Sequence, residues 1–322
     1  MNKKLIISIL IFAIVAIIVF MVHDLFFSNL EQEKPYELKT DGLNTYDSTL
    51  VLYDEVEPIQ VNMDEVRGIA MDNEDNLCVT GSLTIVYEKN GKEKLKFSHD
   101  SVAQCVAISD SGEIFLGMHG RIEVWSFKGK LLRVWDTENS SSVFFGIVVD
   151  ENSVYVSDAK EKVVLHYDLN GELINKIAGE DSSKGIPAII IRSAYFDIAL
   201  GRDNEIWVVN PGMHQLEAFD KNGQLKSTWG EYSNEDVKYF CGCCNPTHIA
   251  LLPDGKFVTS EKAIPRVKIY SQMGEFVGFV AGPDLFNEGT KGLDLAVDSE
   301  NRIFVLDPER KQVRVFEKKK DK

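Results

Sequence analysis

The stretch Ile69-Ala70-Met71-Asp72 is the first copy of a phrase that recurs along the chain. Each copy joins an apolar pair containing Ala or Val to a polar turn, and a β-rich strand follows the turn. The later copies begin at Val106, Ile147, Ile198, Ile249 and Leu295. The interval between copies is roughly 40 to 50 residues, which is the length of a four-stranded propeller blade. The sequence therefore predicts an all-β, six-bladed β-propeller.

Hairpins complete the predicted blades. Residues 124–131, 165–173 and 218–225 each contain two β-rich halves joined by a turn with Gly, a residue that tolerates positive φ. No segment beyond residue 22 shows helical periodicity over three turns. A β-sandwich or a lipocalin-like barrel does not predict a repeat of this length, so the propeller is favoured over both.

The last repeat is one strand short. It ends near Phe316 after three strands, whereas the β-rich segment 49–61 precedes the first repeat. An unpaired sheet edge is a site of aggregation, and closed propellers avoid one. We therefore expect a strand from this segment to complete the sixth blade and close the ring.

These features resemble the NHL-repeat family of six-bladed propellers over about Tyr46 to Phe316. The resemblance rests on the Ile-Ala-Val-Asp-like phrases, on residues 254–258 (Asp-Gly-Lys-Phe-Val) and on residues 266–270 (Arg-Val-Lys-Ile-Tyr). The segment from Cys243-Cys244-Asn245-Pro246 to Val267 looks like a phrase in poorly characterised bacterial members. NHL and related propellers include scaffolds, ligand binders, metal-dependent lactonases and a zinc-dependent lyase, so the resemblance implies a fold and leaves the activity open.

The N-terminus carries an apolar run from Leu5 to Val22, in which Ser8 is the one polar residue. As a helix this run would be roughly 27 Å long, close to the thickness of a bilayer core. Lys3 and Lys4 precede it and acidic residues follow it, so the positive-inside rule places the rest of the chain outside the cytoplasm. No small-x-small cleavage site follows the run, which favours an uncleaved anchor over a signal peptide.

The predicted organisation has four parts. Residues 1–26 are a transmembrane anchor, 27–45 an extracytoplasmic linker, 46–317 the propeller and 318–322 a basic tail. We expect a single-pass protein of the bacterial cytoplasmic membrane whose propeller lies on the periplasmic side.

Charge limits the choice of partner. The 322 residues include 50 acidic and 35 basic side chains, giving a formal charge of -15 at pH 7. Such a surface is unsuited to neutralising nucleic-acid phosphates, so we expect no nucleic-acid partner. A cationic, metallic or neutral partner, whether a protein or a small molecule, is easier to accommodate.

A cysteine cluster lies in the predicted connection between blades four and five. Cys241, Cys243 and Cys244 are followed by His248. Thiolate and imidazole suit zinc, copper or iron, but adjacent cysteines strain a tetrahedral site, and an oxidising compartment favours a disulfide. The sequence thus favours a disulfide and leaves a metal or cluster site and free thiols open. Five cysteines are an odd number, so at least one is unpaired or intermolecular.

A second set of candidates comes from the position just before each apolar pair, which the pseudo-sixfold symmetry places in one ring. Its members are Gly68, Cys105, Gly146, Asp197, His248 and Asp294. Three consecutive blades thus carry Asp, His and Asp near the mouth of the central channel. These groups could bind a divalent metal or a polar ligand, or they could hydrogen-bond the backbone of a neighbouring blade.

The remaining candidates belong to loops on the top side, which we define as the side with the blade-to-blade connections and the loops between second and third strands. Glu261, Lys262 and Arg266 are predicted in such a loop of blade five, and His214 in that of blade four. They join the channel-mouth residues as candidate ligand-binding groups, with solvated surface charge as the alternative.

The function favoured by the sequence is that of a membrane-tethered binding or scaffold propeller. Its top side around blades four to six would hold a ligand, a metal or a partner protein. The chain has no phosphate-binding glycine loop, no His-Glu-x-x-His motif and no nucleophile-elbow serine, which weakens a hydrolase or nucleotide-binding role. Two alternatives stay open: a metal-dependent lactonase- or lyase-like enzyme at the channel mouth, and a cysteine-based redox or metal-cluster module.

Overall fold

The computed structural model of the protein describes residues 45–193 and 195–320. In this part of the chain, 24 strands form six four-stranded antiparallel sheets, which confirms the predicted all-β, six-bladed propeller. The first strand, β1 (Tyr53–Gln60), belongs to the last blade. The strands of blades one to three are β2 (Val66–Met71), β3 (Leu77–Gly81), β4 (Thr84–Tyr87), β5 (Glu93–Phe97), β6 (Cys105–Ile108), β7 (Glu113–Gly117), β8 (Arg121–Ser126), β9 (Leu131–Asp136), β10 (Phe144–Val149), β11 (Ser153–Asp158), β12 (Val163–Asp168) and β13 (Leu173–Ile177).

Blades four to six follow the same order from the channel outwards. Their strands are β14 (Ile198–Leu200), β15 (Ile206–Asn210), β16 (Gln215–Phe219), β17 (Leu225–Trp229), β18 (His248–Leu251), β19 (Phe257–Glu261), β20 (Arg266–Tyr270), β21 (Phe276–Ala281), β22 (Leu295–Val297), β23 (Ile303–Asp307) and β24 (Gln312–Lys318). Short 3-10 turns occur at Ser48–Leu50, Ser182–Lys184 and Pro283–Leu285.

The position of a strand in its blade decides its residue pattern. Second strands such as β3 and β15 are buried along their whole length, because both of their faces pack against neighbouring blades. The outer strand β5, with the sequence Glu-Lys-Leu-Lys-Phe, is largely exposed and buries only Phe97. The difference between apolar second strands and polar outer strands thus reflects how much of each strand the neighbouring blades cover.

The hydrophobic core is divided among the interfaces between blades. Six large clusters of buried side chains each combine residues of two successive blades. The cluster between blades six and one, for example, joins Phe304 and Leu306 to Ile69 and Val79. Each blade is therefore stabilised by both of its neighbours, and the ring must close for the first and last blades to bury their faces.

The ring closes through the N-terminal strand, as predicted. β1 is the outer strand of blade six and pairs antiparallel with β24, from Tyr53 opposite Lys318 to Gln60 opposite Gln312. The register shifts between Val56 and Ile59, around Pro58. Proline cannot donate a ladder hydrogen bond and is tolerated on an edge strand, which is the position of β1.

The residues that precede β1 contact blade five. The Leu52 amide donates to the carbonyl of Phe279 at 2.9 Å, and the Tyr46 ring lies 4.9 Å from the Phe279 ring. A Cβ on Gly282 would overlap the Tyr46 ring, so glycine is required at this close approach. Residues 46–60 thus span the outside of the two last blades.

The top side is built unevenly. The connections that lead into blades four, five and six (178–197, 230–247 and 282–294) are longer than those that lead into blades two and three (98–104 and 137–143). In repeat proteins, insertions concentrated on one side often form the binding surface. The extra chain therefore marks the top side of blades four to six as the place to examine for a site.

None of the helices in residues 45–193 and 195–320 is long and apolar enough to cross a membrane. The run from Leu5 to Val22, on which the predicted anchor rests, lies outside these residues, as does most of the predicted linker.

Candidate functional site

The three polar residues of the predicted ring lie at the start of three successive inner strands. Asp197 directly precedes β14, His248 begins β18 and Asp294 directly precedes β22. The Asp197 and His248 side chains are buried, and Asp294 is half-buried. The strand register that the repeat predicts is therefore the register of the structure, and it brings Asp197 and Asp294 to the channel.

The two aspartates hydrogen-bond the backbone of neighbouring blades, which is the structural alternative that the sequence left open. Asp197 Oδ2 accepts from the Ile249 amide of blade five at 2.9 Å, and Asp294 Oδ2 accepts from the Ile69 amide of blade one at 2.7 Å. The Oδ1 atoms accept from the amides that directly follow each aspartate. Each carboxylate thus connects two adjacent blades at the channel.

Burial perturbs both carboxyl groups. It raises the pKa of Asp197 well above its usual value, and the negative charge of Asp294 adds to this effect. Burial also raises the pKa of Asp294 to about 7, although its two amide hydrogen bonds oppose the shift.

The raised pKa predicts a pH-dependent role for Asp294 in stability. A carboxyl whose pKa rises on folding stabilises the folded state below its unfolded pKa, and this contribution is lost as the pH rises through the folded pKa. The free energy of unfolding of the wild type, minus that of Asp294→Asn, should therefore increase by about 2 to 4 kcal/mol when the pH falls from 8 to 4. Urea unfolding at several pH values measures this difference, and a difference that does not change with pH would contradict the assignment.

His248 is a neutral imidazole in this setting. Its Nδ1 lies 3.2 Å from Thr247 Oγ1 and 3.4 Å from Ser260 Oγ, and burial lowers its pKa to about 3. The Tyr195 ring packs edge-on against the imidazole, with the ring centres 5.3 Å apart. In the described part of the chain, the hydrogen bonds of the His248 side chain go to hydroxyl groups and not to Asp197 or Asp294.

The ring does not have the geometry of a metal site. Within residues 45–193 and 195–320, no three side chains of His, Cys, Asp or Glu converge in a way that could hold a metal ion. The physical reason lies in Asp197 and Asp294, whose oxygens accept backbone amide protons instead of pointing at a common centre. The ligand set that a metal-dependent lactonase or lyase needs is not formed by these residues.

Glu261 and Arg266 were predicted in a top loop, as ligand-binding groups or as surface charges, and the structure corrects this prediction by placing both on strands. Glu261 is the last residue of β19 and Arg266 the first of β20, and both side chains are completely buried. They pair at 2.8 Å from Arg266 Nε to Glu261 Oε1, while Lys268 Nζ lies 2.7 Å from the same oxygen. We call these three residues the ionic cluster.

The charges of the ionic cluster shift each other's ionisation. Burial alone would raise the pKa of Glu261, but the positive charges of Arg266 and Lys268 outweigh it and lower this pKa to about 2. Burial lowers the pKa of Lys268 to about 8 against the attraction of Glu261. The Lys268 ammonium is also 4.9 Å from the centre of the Phe240 ring and donates to the carbonyl of Tyr239 at 2.7 Å.

Cys241 belongs to the same buried region. Its amide donates to Glu261 Oε2 at 3.2 Å, and its sulfur lies 3.4 Å from Arg266 Nη2. Burial raises the pKa of Cys241 to about 12, with the charge of Glu261 as the next cause. The ionic cluster therefore fixes the position of Cys241, the first cysteine of the loop.

Asn245 fixes the other end of the cysteine loop. Its Nδ2 donates to the carbonyl of Cys241 at 2.6 Å and to that of Lys262 at 3.0 Å, while its Oδ1 accepts from the Lys262 amide at 2.9 Å. The carbonyl of Gly242, a residue with φ of +75°, lies 2.7 Å from His214 Nε2. The loop is thus joined to the top loops of blades four and five.

All five cysteines are free thiols in this structure, so the disulfide that the sequence favours is not formed. Cys78 and Cys105 are buried in the core, as their strand positions predict. In the loop, Cys241 and Cys244 are buried and Cys243 is exposed.

The predicted candidates thus form two groups. Asp197 and Asp294 line the channel, and His248 begins the inner strand between theirs. By contrast, His214, Glu261, Lys262 and Arg266 contact the loop that contains Cys241. Tyr195, which carries no motif, connects the groups, because its ring contacts His248 and lies 6.0 Å from Lys262 Nζ. Lys268 was also missed, although its spacing of two from Arg266 places both side chains on one face of β20.

No protein-family model matches the chain. A curated relative, Protein brain tumor of Drosophila melanogaster, is 26% identical over 122 residues, which are 37% of this chain. The chain spans only 11% of the length of that relative. The NHL-repeat resemblance is thus supported by the fold and by one short, distant match.

Solved structures support the fold more broadly. A streptogramin B lyase has a TM-score of 0.57 at 10% identity, covering 85% of this chain and 100% of that one. Virginiamycin B lyase from Staphylococcus aureus has a TM-score of 0.54 at 14% identity, covering 84% of this chain and 90% of that one. A protein of unknown function from Bacteroides thetaiotaomicron has a TM-score of 0.59 at 10% identity, covering 82% of this chain and 71% of that one. At these identities the similarity shows the propeller fold alone.

Proposed function

We propose that this chain is a binding propeller that presents the top side of blades four and five to a partner protein. The observation that carries the proposal is a set of large apolar side chains exposed on this side. Met213 lies in the top loop of blade four, and Tyr232 and Tyr239 lie in the connection to blade five. They are 46%, 51% and 39% exposed, respectively. Tyrosine and methionine are enriched at protein interfaces, where they supply much of the buried area.

The surface that carries these residues is held in place. The Tyr232 ring packs on His214 with the ring centres 4.9 Å apart, and His214 contacts the carbonyl of Gly242. The carbonyl of Tyr239 accepts from the buried Lys268. Side chains that are already ordered lose less conformational entropy when a partner binds.

Charge indicates the kind of partner. Glu231 and Glu235 are exposed in the same connection as the two tyrosines, and the whole chain is acidic. Complementary charge accelerates association and discriminates between partners. We therefore propose a partner protein with a basic contact surface.

The binding test compares the two sides of the propeller. The full chain carrying Met213→Ser, Tyr232→Ser and Tyr239→Ser should lose most of the protein that co-purifies with the wild type from the membranes of its own cells. Met273→Ser is the matched control, because Met273 is 82% exposed but lies in the bottom turn between β20 and β21. Equal recovery by the wild type and the triple variant would remove the top side as the binding surface.

A membrane tether is the second part of the proposal. It is supported by the apolar run from Leu5 to Val22 and by the charges that flank it. The full chain should stay in the membrane fraction after a high-salt wash, and protease added to the outer side of that membrane should reach the propeller. A mature chain released without this run would contradict the tether and leave the binding proposal untouched.

A further inference from the structure

We propose that Cys243 and Cys244 form a redox-active dithiol that exchanges with external disulfides, and that Cys241 takes no part. This activity goes beyond the proposed binding function and does not depend on it. The sequence alone leaves all three cysteines of the loop equivalent. The structure separates them by their burial and by the contacts of the Cys241 sulfur.

Cys241 is held away from its neighbours. Its sulfur is 3.4 Å from Arg266 Nη2 and 3.6 Å from Glu261 Oε2, and it has no exposed surface. Its amide is bonded to Glu261 and its carbonyl to Asn245. Turning this thiol toward the surface would break contacts on both sides of the residue and leave Arg266 with fewer partners. Cys241 is therefore a structural thiol.

Cys243 and Cys244 are consecutive residues that differ in exposure. Cys243 is exposed, whereas Cys244, the next residue in the chain, is buried. An external disulfide can reach only the first. Burial raises the pKa of Cys244, so this thiol is protonated when the exchange starts, and the nearby Lys262 charge favours its later ionisation. Cys243 is thus the attacking thiol and Cys244 the resolving one.

The exchange balances with a low-molecular-weight or protein disulfide, R–S–S–R, as the oxidant. Cys243 loses its proton and its sulfur attacks one sulfur of R–S–S–R, so that one R–S⁻ leaves with the bonding electron pair and is protonated. Cys244 then loses its proton and attacks the Cys243 sulfur of the mixed disulfide, which expels the second R–S⁻. Two protein thiols are oxidised to one disulfide, and one external disulfide is reduced to two thiols. The product is a vicinal disulfide within an eight-membered ring.

The loop that carries the pair is anchored on both sides. Asn245 ties it to Lys262, and Gly242 ties it to His214. The exchanging cysteines therefore lie on a fixed part of the top side, in the same connection as Tyr232 and Tyr239, where a partner disulfide can approach. Cys78 and Cys105 have no such access, because both are buried in the core.

The test equilibrates the full chain with glutathione and glutathione disulfide at a series of ratios. After an acid quench, the protein is denatured and alkylated, and its peptides are mapped by mass spectrometry. Cys243 and Cys244 should lose alkylation together, with the dependence on the two glutathione species of a two-electron step. Cys78, Cys105 and Cys241 should stay alkylatable at every ratio.

Two variants assign the roles. Cys244→Ser should stop the exchange at one glutathione per chain, attached to Cys243, because the resolving thiol is missing. Cys241→Ser is the matched control and should leave the midpoint of the Cys243–Cys244 couple unchanged. A wild-type chain that keeps glutathione on Cys243, or an internal disulfide that includes Cys241, would overturn the proposal. Neither result would bear on the proposed binding surface, which is tested with Met213, Tyr232 and Tyr239.

Discussion

Replacing Glu261 with Gln is expected to destabilise the protein by about 3 to 5 kcal/mol, the usual cost of removing one partner of a buried ion pair. Glu261 is the one carboxylate that Arg266 and Lys268 contact among the described residues. Without it, two buried cations lose their counter-charge, and the amide and thiol of Cys241 lose an acceptor. Guanidinium unfolding of the wild type and the variant measures the difference.

Glu300→Gln is the control for this prediction. Glu300 also pairs with a lysine, at 2.9 Å from Lys89, but its side chain is 60% exposed. A solvent-exposed pair contributes about 0 to 1 kcal/mol, so the control should unfold almost as the wild type does. Similar losses in the two variants would mean that burial of the ionic cluster is not what makes Glu261 important.

Deleting residues 45–60 is expected to have the larger effect and to abolish the cooperative unfolding of the propeller. The deletion removes β1, which exposes the edge of β24 and takes Tyr53 from the cluster between blades five and six. A domain has only about 5 to 15 kcal/mol of stability in total, and the open edge also invites association between chains. Size-exclusion chromatography and thermal unfolding should show aggregates without a sharp transition.

The control for the deletion keeps the strand and changes only its exposed charges. Asp54→Ala with Glu57→Ala should leave unfolding nearly unchanged, because β1 is held by its ladder with β24 and by buried side chains. The Asp54 carboxylate pairs with the exposed Lys319 at 3.8 Å. A shortened chain that unfolds as cooperatively as the parent would show that β1 is dispensable for closure.

The sequence predicted the blades and their closure because both depend on patterns that repeat. Apolar pairs such as Ile69-Ala70 mark inner strands at regular intervals, and a last repeat with three strands calls for one more. The register of the inner strands follows directly, so the positions of Asp197, His248 and Asp294 were also predictable. The sequence did not decide which group the two aspartates bind, because a carboxylate at this position suits a metal ion and a backbone amide equally well.

The ionic cluster was misplaced because charged residues are rarely buried, and Pro265 between Glu261 and Arg266 is typical of a loop. Their burial depends on the pairing of β19 with β20, which puts Glu261 opposite Arg266. The sequence did not separate Cys241 from Cys243 and Cys244, because the burial of Cys241 depends on its contacts with Glu261 and Arg266, which lie 20 and 25 residues further along the chain. Contacts such as Tyr195 with His248 join residues far apart in the sequence, and no local pattern predicts them.

The pairing of β1 with β24 also has a consequence for biosynthesis. β1 is synthesised before the other strands of the propeller, and it stays unpaired until β24 has been translated. Blades one to five can assemble in order as they emerge, since their strands are consecutive, whereas the sixth is finished only by a contact between the two ends of the domain. A chain that stops early, through a nonsense codon or a stalled ribosome, therefore presents an unmatched first strand and an open side. Chaperones and proteases can recognise such a product. Closure of the propeller therefore distinguishes a full-length chain from a truncated one.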